Sequence, residues 1–323
     1  MITTRACTLL GITHPVVLGG MGGGHTDPGL VAAVSNAGGL GIIGVSWRSP
    51  GDIATLAAEI RQRTDRPFGL NLLLFSNEES VDAVLAASPA VFSTAWASPE
   101  QDLHTIFARA HDAGAIVMHM VPMLQEALRA AEAGADVIVA QGTEGGGHVG
   151  VISTLLLVPQ VTRAVAPLPV LAAGGLADGA GLAAALMLGA EGALFGTRFL
   201  AATEAPVSEN YKRALVASDG HNTLLSEIPD IVSGEMWPGA YARVLRNHLI
   251  EAWSGREAEL RARRAEIYEH TARARQTGDM HESVLWAGES AGLVDRIEPA
   301  GLIVERIVDE AEAIMHERTA LIQ

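Results

Sequence analysis

The feature that most limits the fold of this chain is a rhythm. Eight short apolar runs, separated by Ala-rich amphipathic segments, fill residues 16–195. The runs are Val16–Leu18, Leu40–Val45, Phe68–Leu74, Ala90–Ser93, Ala115–Met120, Asp136–Ala140, Leu168–Ala173 and Glu191–Phe195. Runs of this length without polar alternation read as strands buried on both faces. Between them, segments such as 52–63, 99–112, 124–133 and 181–188 carry apolar residues at helical spacing. Strand–helix alternation calls for parallel strands joined by right-handed crossovers. The joints repeat one phrase, in Ala113-Gly114-Ala115, Ala133-Gly134-Ala135 and Leu188-Gly189-Ala190. A glycine there ends each helix in a left-handed turn before the next strand. Eight such units within about 218 residues predict an α/β TIM (β/α)8 barrel. A doubly wound open sheet is the alternative. It is disfavoured because the first turn lacks a nucleotide fingerprint followed by a ribose-binding acid.

The rhythm stops near residue 219. The pattern changes over about residues 219–285, where Asn247–His281 is rich in Glu, Arg and Ala at helical spacing with no clear buried strand, and it reads as an all-helical appendage. The mixed charge of Arg256–Arg275 reads as solvated helix surface and not as a binding tail. A further Ile/Val/Glu helix over Ala300–Met315 could pack back on the barrel. The expected organisation is therefore a barrel from residues 1–218 and 290–323, with 219–289 as an inserted, all-helical lid.

Composition narrows the partners. The net charge of −15 disfavours nucleic acid and anionic membrane. The single cysteine, Cys7, rules out an intrachain disulfide and a thiolate cluster, so a cytoplasmic location is expected, with Cys7 a small buried hydrophobe. No signal peptide is expected, because the first eight residues hold one arginine and no apolar core. The longest uncharged stretch, Pro28–Trp47, is broken by Gly29, Gly38, Gly39, Gly41 and Gly44 and does not suit a membrane helix.

In such a barrel the chemistry gathers at the C-terminal ends of the strands. Here those ends are rich in glycine. Gly19-Gly20-Met21-Gly22-Gly23-Gly24 follows the first run, and Asn71 lies in the third. Gln141 and then Gly145-Gly146-Gly147-His148 follow the sixth, Gly174-Gly175 the seventh, and Gly196-Thr197-Arg198 the eighth. The last two loops suit a phosphate, since backbone N–H groups bared by glycine hold a dianion without lysine. The bland alternative is a pair of tight βα turns. With the glycine floor and the Asn71 amide, the set suits FMN, although Asn71 could equally tie two strands together.

His148 is the candidate acid or base, set on a glycine-flanked loop at a strand end. A satisfied loop histidine is the competing reading. His25 and His119, the latter read as the end of the fifth strand, also stand at strand ends and are secondary candidates, since each could simply bond a backbone group. No histidine pair has metal spacing with a supporting carboxylate, so no metal site is expected. Neither Ser46 nor Ser153 sits in a nucleophile elbow.

Taken in order, the motifs over 15–23, 35–41, 68–71, 141–150, 169–179, 196–199 and 286–293 resemble one family. It is the nitronate monooxygenase (2-nitropropane dioxygenase-like) family of FMN-dependent TIM barrels, which includes enoyl-[acyl-carrier-protein] reductase II. The resemblance implies FMN, with its phosphate at the loops after strands seven and eight. It implies cofactor contacts from Gly20, Met21, Gly22, Asn71, Gln141, Gly146 and Gly147, and from Ala173, Gly174, Gly175, Phe195, Gly196 and Thr197. His148 would be the catalytic histidine beside the flavin. The first expected activity is oxidation of alkyl nitronates with dioxygen to a carbonyl compound and nitrite. The second is NAD(P)H-dependent reduction of an enoyl thioester or a quinone, and the segments 155–161 and 210–212 resemble that branch. The third, a non-catalytic flavin- or phosphate-binding barrel, is opposed by the intact His148 and its glycine shell. The expected partners are a small-molecule substrate and O2, with a homodimer as the assembly to test for. Three positions depart from the family pattern. Met120 stands where some members have lysine, Val149 where relatives are often basic or longer, and Glu289 where many have glutamine.

Overall fold

A computed structural model describes residues 2–237 and 239–321. Its frame is one eight-stranded parallel sheet in the order β1-β9-β8-β6-β5-β4-β3-β2. The strands are β1 (Val16–Leu18), β2 (Gly41–Gly44), β3 (Phe68–Leu73), β4 (Val91–Ala95), β5 (Ile116–Val121), β6 (Val137–Gln141), β8 (Val170–Ala173) and β9 (Ala193–Phe195). A parallel bridge from Val17 to Leu40 brings the two ends together and closes the barrel. All eight expected runs hold a strand, most of them trimmed by a residue or two at the ends.

The period of two along each strand divides the apolar residues between two cores. Val17, Ile42, Val139 and Leu171 point inward and fill the barrel with Leu40, Val91, Met118 and Val137. Their neighbours Val16, Leu18, Ile43, Leu70, Ile138 and Ala140 face outward into the helix layer. Both faces are buried, which is why the sequence shows runs and not alternation. The floor is closed by the helix Arg5–Leu10, which drives Ala6 and Leu10 into the inner core. Thr4 caps its start through the Cys7 N–H, and Gly11 ends it in the left-handed region at φ 67°. Cys7 is buried as expected.

The segment after the eighth barrel strand departs from expectation. It is mostly helical, with helices Ile228–Ser233, His248–Trp253, Glu257–Ala262 and Arg264–Thr277 around a small core of its own. It is not all-helical, however. Strands β10 (Thr223–Ser226) and β11 (Tyr241–Leu245) form an antiparallel sheet with β7 (Gly147–Val149), in the order β10-β11-β7. The reason is local: β7 is a glycine-rich stub of the His148 loop whose edge needs a partner, and β11 supplies it.

The chain then returns through a 3-10 turn, Glu289–Leu293, to the helix Ala300–Thr319. That helix packs between Gly179–Met187 and Pro28–Asn36, the place of the eighth helix of a (β/α)8 barrel. A Cβ on Gly179 would lie 2.3 Å from Glu310 Cβ and 2.5 Å from Ala311 N, so glycine sets this close approach. Arg198 at the barrel rim pairs with buried Glu298 just ahead of the helix, and Arg306 holds the same carboxylate at 2.8 Å. Among the described residues no helix is long and apolar enough to cross a membrane.

Candidate active site

The C-terminal mouth of the barrel opens into a cavity of about 540 Å³, within the size range of ligand sites. Of the residues expected around a cofactor, Gly20, Met21, Gly22, Asn71, Gln141 and Gly146 line it. So do Gly147, Ala173, Gly174, Gly175, Gly196 and Thr197. Phe195 is the exception. Its ring faces outward into the helix layer, edge-on to Phe199 with centroids 6.4 Å apart. What β9 offers at this position is the Phe195 carbonyl, which accepts from the Gly19 N–H at 2.9 Å and anchors the β1 loop.

The walls are set by close backbone approach. Gly174 sits at φ 93°, and a Cβ there would lie 2.7 Å from the Gly142 carbonyl oxygen. A Cβ on Gly146 would lie 2.4 Å from Gly288 N and 2.6 Å from the Ala287 carbonyl carbon. These glycines bring the loops after β6 and β8 and the 287–288 segment into contact. By contrast, a Cβ on Gly22 or Gly196 would meet only an ordinary contact, at 3.8 and 3.7 Å, and one on Gly147 nothing within 4 Å.

Polar groups face this space in a definite state. Asn71 Nδ2 donates to the Gly20 carbonyl at 3.2 Å, and its Oδ1 accepts from the Ser93 hydroxyl at 2.8 Å. The amide therefore ties the β1 loop to β4, and one N–H is left beside the cavity. Gln141 Oε1 is buried with no hydrogen-bond partner, an orphaned acceptor on the cavity wall. Thr197 Oγ1 accepts from the Gly288 N–H at 2.9 Å and keeps its own proton to donate.

His148 stands in β7 with its Nε2 2.7 Å from Asp230 Oδ1, and the two side chains are only 9% and 17% exposed. The carboxylate accepts from Nε2–H, which leaves the Nδ1 lone pair as the ring's acceptor in the neutral form. Trp237 stacks on the imidazole at 3.4 Å and 10° between planes, and Trp286 lies 5.1 Å away on a tilt. Trp96 meets Trp237 edge-on at 6.1 Å. An imidazole whose orientation is fixed by a carboxylate and whose face is covered by indole is placed for proton transfer at one site.

The other two histidines separate from it. His119 is not at a strand end but inside β5, fully buried, with Nδ1 2.7 Å from Thr94 Oγ1. Burial lowers its pKa to about 3. His25 lines the cavity and donates from Nδ1 to the Gly22 carbonyl at 2.8 Å. Its pKa falls to about 4, mainly through burial. Both stay neutral near pH 7, and neither has a carboxylate partner among the described residues.

Asp230, Trp237 and Trp286 were not singled out from the sequence as partners of His148. Asp230 is 82 residues away along the chain, and nothing local joins the two. Two departures from the family pattern find their place. Glu289 pairs with Arg243 at 3.0 Å, and Arg243 Nε holds the Thr143 carbonyl at 2.9 Å, so the acid helps fix the His148 loop. Met120 lines the cavity with an uncharged thioether.

Comparison with known proteins agrees with this layout. The sequence model of the family described as nitronate monooxygenase matches residues 3–87 and 76–310. A Mycobacterium tuberculosis protein, (3aS,4S,5R,7aS)-5-hydroxy-7a-methyl-1-oxo-octahydro-1H-indene-4-carboxyl-CoA dehydrogenase, is 37% identical over 254 residues, 77% of this chain and 68% of that one. A probable nitronate monooxygenase of Staphylococcus saprophyticus is 28% identical, with 98% of this chain and 99% of that one covered. Among solved structures, FabK from Thermotoga maritima superposes with a TM-score of 0.88 at 34% identity, over 99% of this chain and all of that one. A nitroalkane oxidase from Streptomyces ansochromogenes gives 0.82 at 28% identity, over 98% of this chain and all of that one. The chain, an oxidoreductase by these matches, belongs to the nitronate monooxygenase family.

Proposed function

We propose that the chain is an FMN-dependent oxidoreductase that works on the carbon–carbon bond beside a thioester carbonyl, with His148 moving the proton. The observation that carries this is the His148–Asp230 pair at 2.7 Å in the wall of an aromatic-sided, glycine-floored cavity. The thioester is favoured because the carboxyl-CoA dehydrogenase is 37% identical, against 28% for the probable nitronate monooxygenases.

The residues present fit FMN. The orphaned Gln141 Oε1 offers an acceptor to a ring N–H, and the spare Asn71 N–H offers a donor. The uncrowded backbone at Gly22, Gly147 and Gly196, all on the cavity wall, would let a flat ring and a ribityl chain approach closely. Gly174, Gly175, Gly196 and the Thr197 hydroxyl would hold the phosphate. When bound, FMN supplies the two-electron chemistry.

The protein's own part is positional and acid–base. A thioester α-proton is acidified by its carbonyl, and His148 Nδ1 takes it in the oxidative direction. In the reductive direction the protonated ring returns it, and NAD(P)H is the reductant. Asp230 faces the developing imidazolium and holds the ring in register. The indoles of Trp237 and Trp286 exclude water from the ring face.

A second reading is oxidation of alkyl nitronates with dioxygen. It is supported by the probable nitronate monooxygenases, which match the chain over almost its full length, and by the nitroalkane oxidase structure. One experiment separates the two. The purified protein is loaded with FMN and mixed, anaerobically and in air, with an acyl-CoA, an enoyl-CoA plus NADH or NADPH, and propionate 3-nitronate. Thioester turnover with no nitrite release is expected. Nitrite release with no thioester turnover overturns the thioester reading. Absence of a flavin spectrum after reconstitution overturns both.

A further inference from the structure

One rim of the cavity carries positive charge and an exposed aromatic ring that the chemistry above does not use. Trp47 follows β2 in the left-handed region at φ 60°, a conformation that strains any residue but glycine by about 1–3 kcal/mol. It is held there by buried Asn77, whose Oδ1 accepts the Trp47 N–H at 2.7 Å. The result is an indole left 49% exposed at the cavity wall, 3.8 Å from where a Cβ of Gly22 would sit.

Beside it stand two guanidinium groups. A Cβ on Gly24 would lie 3.7 Å from Arg48 Nη2 and 3.8 Å from Arg275 Nη2, so these nitrogens are no further apart than those two distances together. Arg275 comes from the inserted helix Arg264–Thr277, lines the cavity, and donates to the Gly23 carbonyl. Neither arginine has a carboxylate partner among the described residues. In a chain of net charge −15, two guanidinium groups without a carboxylate partner and close enough to share one ligand form a local site for an anion. Forked donors match phosphate, and an indole matches the flat face of a base.

We propose that Trp47, Arg48 and Arg275 dock the adenosine diphosphate portion of a reactant whose other end reaches His148. The site is distinct in its residues from the glycine loops after β8 and β9. CoA and NAD(P)H share this portion, and either could bring it here. The choice of these two sources rests on the thioester reading, whereas the anion site rests on these residues alone.

The test uses ADP itself, titrated calorimetrically into the FMN-loaded full-length protein and its Arg48→Ala, Arg48→Lys and Arg275→Ala variants. Arg48 is exposed and unpaired, so Arg48→Ala keeps the fold even if Arg275→Ala, which also loses the Gly23 contact, does not. Each alanine is expected to weaken ADP at least about 10-fold, lysine to restore part of it, and the flavin spectrum to stay unchanged. Equal affinity in wild type and variants, or no ADP binding to wild type, overturns the site. Loss of FMN from the arginine variants also overturns it, by putting the flavin phosphate at this rim. The source is then read from KM. A rise for acyl-CoA but not for the same acyl group on N-acetylcysteamine assigns CoA, a rise for NADH or NADPH alone assigns the nicotinamide, and no rise in either overturns the proposal. ADP binding that needs Arg48 in a protein with no thioester turnover leaves the site standing and sinks only the thioester reading.

Discussion

Replacing Asp230 by Asn tests the centre of the proposed mechanism. The side chain keeps its shape and an acceptor oxygen, but loses its charge. In the structure Asp230 Oδ1 lies 2.7 Å from His148 Nε2, with side-chain exposures of 17% and 9%. A hydrogen bond to a charged group is worth about 1.5–3 kcal/mol, and this partly buried one is taken near the middle of that range. In the oxidative direction the charge matters once the imidazole carries its second proton, the state that the proton transfer forms. The loss should therefore fall on kcat and not on KM. About 2 kcal/mol corresponds to roughly a 30-fold fall in kcat. The amide can also turn its NH2 toward Nε2, which would move the ring proton to Nδ1 and remove the acceptor. The assay is steady-state turnover of the thioester, with FMN content followed by visible absorbance. FMN should be retained in full, because Asp230 touches His148 and none of the glycine loops proposed to hold the phosphate. A kcat within two-fold of wild type would refute the assignment of Asp230 as a positioning residue. A 30-fold change carried wholly by KM would refute the argument from developing charge.

Other outcomes can be checked with less apparatus. His148→Ala should retain FMN and lose at least about 100-fold in turnover, the scale of a general acid–base group; a variant with full activity removes His148 from the chemistry. Gly146→Ala forces a Cβ to 2.4 Å from Gly288 N and 2.6 Å from the Ala287 carbonyl carbon, so it should destabilise by about 1–3 kcal/mol. Gly147→Ala meets nothing within 4 Å and carries only the strain of φ 78°, so its melting temperature should fall less; the reverse order contradicts the packing described. His119 and His25, neutral in the fold down to about pH 3 and 4, take up a proton below about 6.5 only when unfolded, so each removes about 1.4 kcal/mol of stability per pH unit as pH falls through that window. Urea midpoints at pH 7 and 5 should show His119→Asn losing less stability than wild type over that interval, and equal losses contradict the assignment. Arg198→Leu leaves Glu298 buried with only Arg306 to meet it and should cost about 2–4 kcal/mol in urea unfolding; a cost below about 1 kcal/mol means the carboxylate is compensated elsewhere.

The barrel was legible in the sequence because parallel strands are buried on both faces and so announce themselves as apolar runs. The glycine loops were legible because their positions follow from the strand ends. Of the fourteen residues that the strand ends and the family resemblance together pointed to, His148 among them, thirteen line one cavity. Phe195 stands apart because its ring packs in the helix layer and its backbone serves the loop, a distinction that a run of apolar letters does not encode. His119 was misjudged by the drift of one strand boundary, since β5 runs on to Val121. Strands β10 and β11 were missed for a physical reason. Their pairing is antiparallel and partly exposed, and Thr223–Ser226 is neither a clean run nor a clean alternation. Asp230 and Trp237 were missed because their meaning exists only across the β7–β11 pairing.

That pairing has a mechanical consequence. Ala242 of the insertion pairs directly with His148 in the ladder, and Tyr241 and Arg243 pair with its two neighbours. The insertion and the imidazole thus share one piece of rigid backbone. It cannot swing away as a hinged cover without tearing the histidine from its place. Any movement that admits a reactant therefore leaves the proton-handling ring aimed as it is, because its backbone is laddered to the insertion.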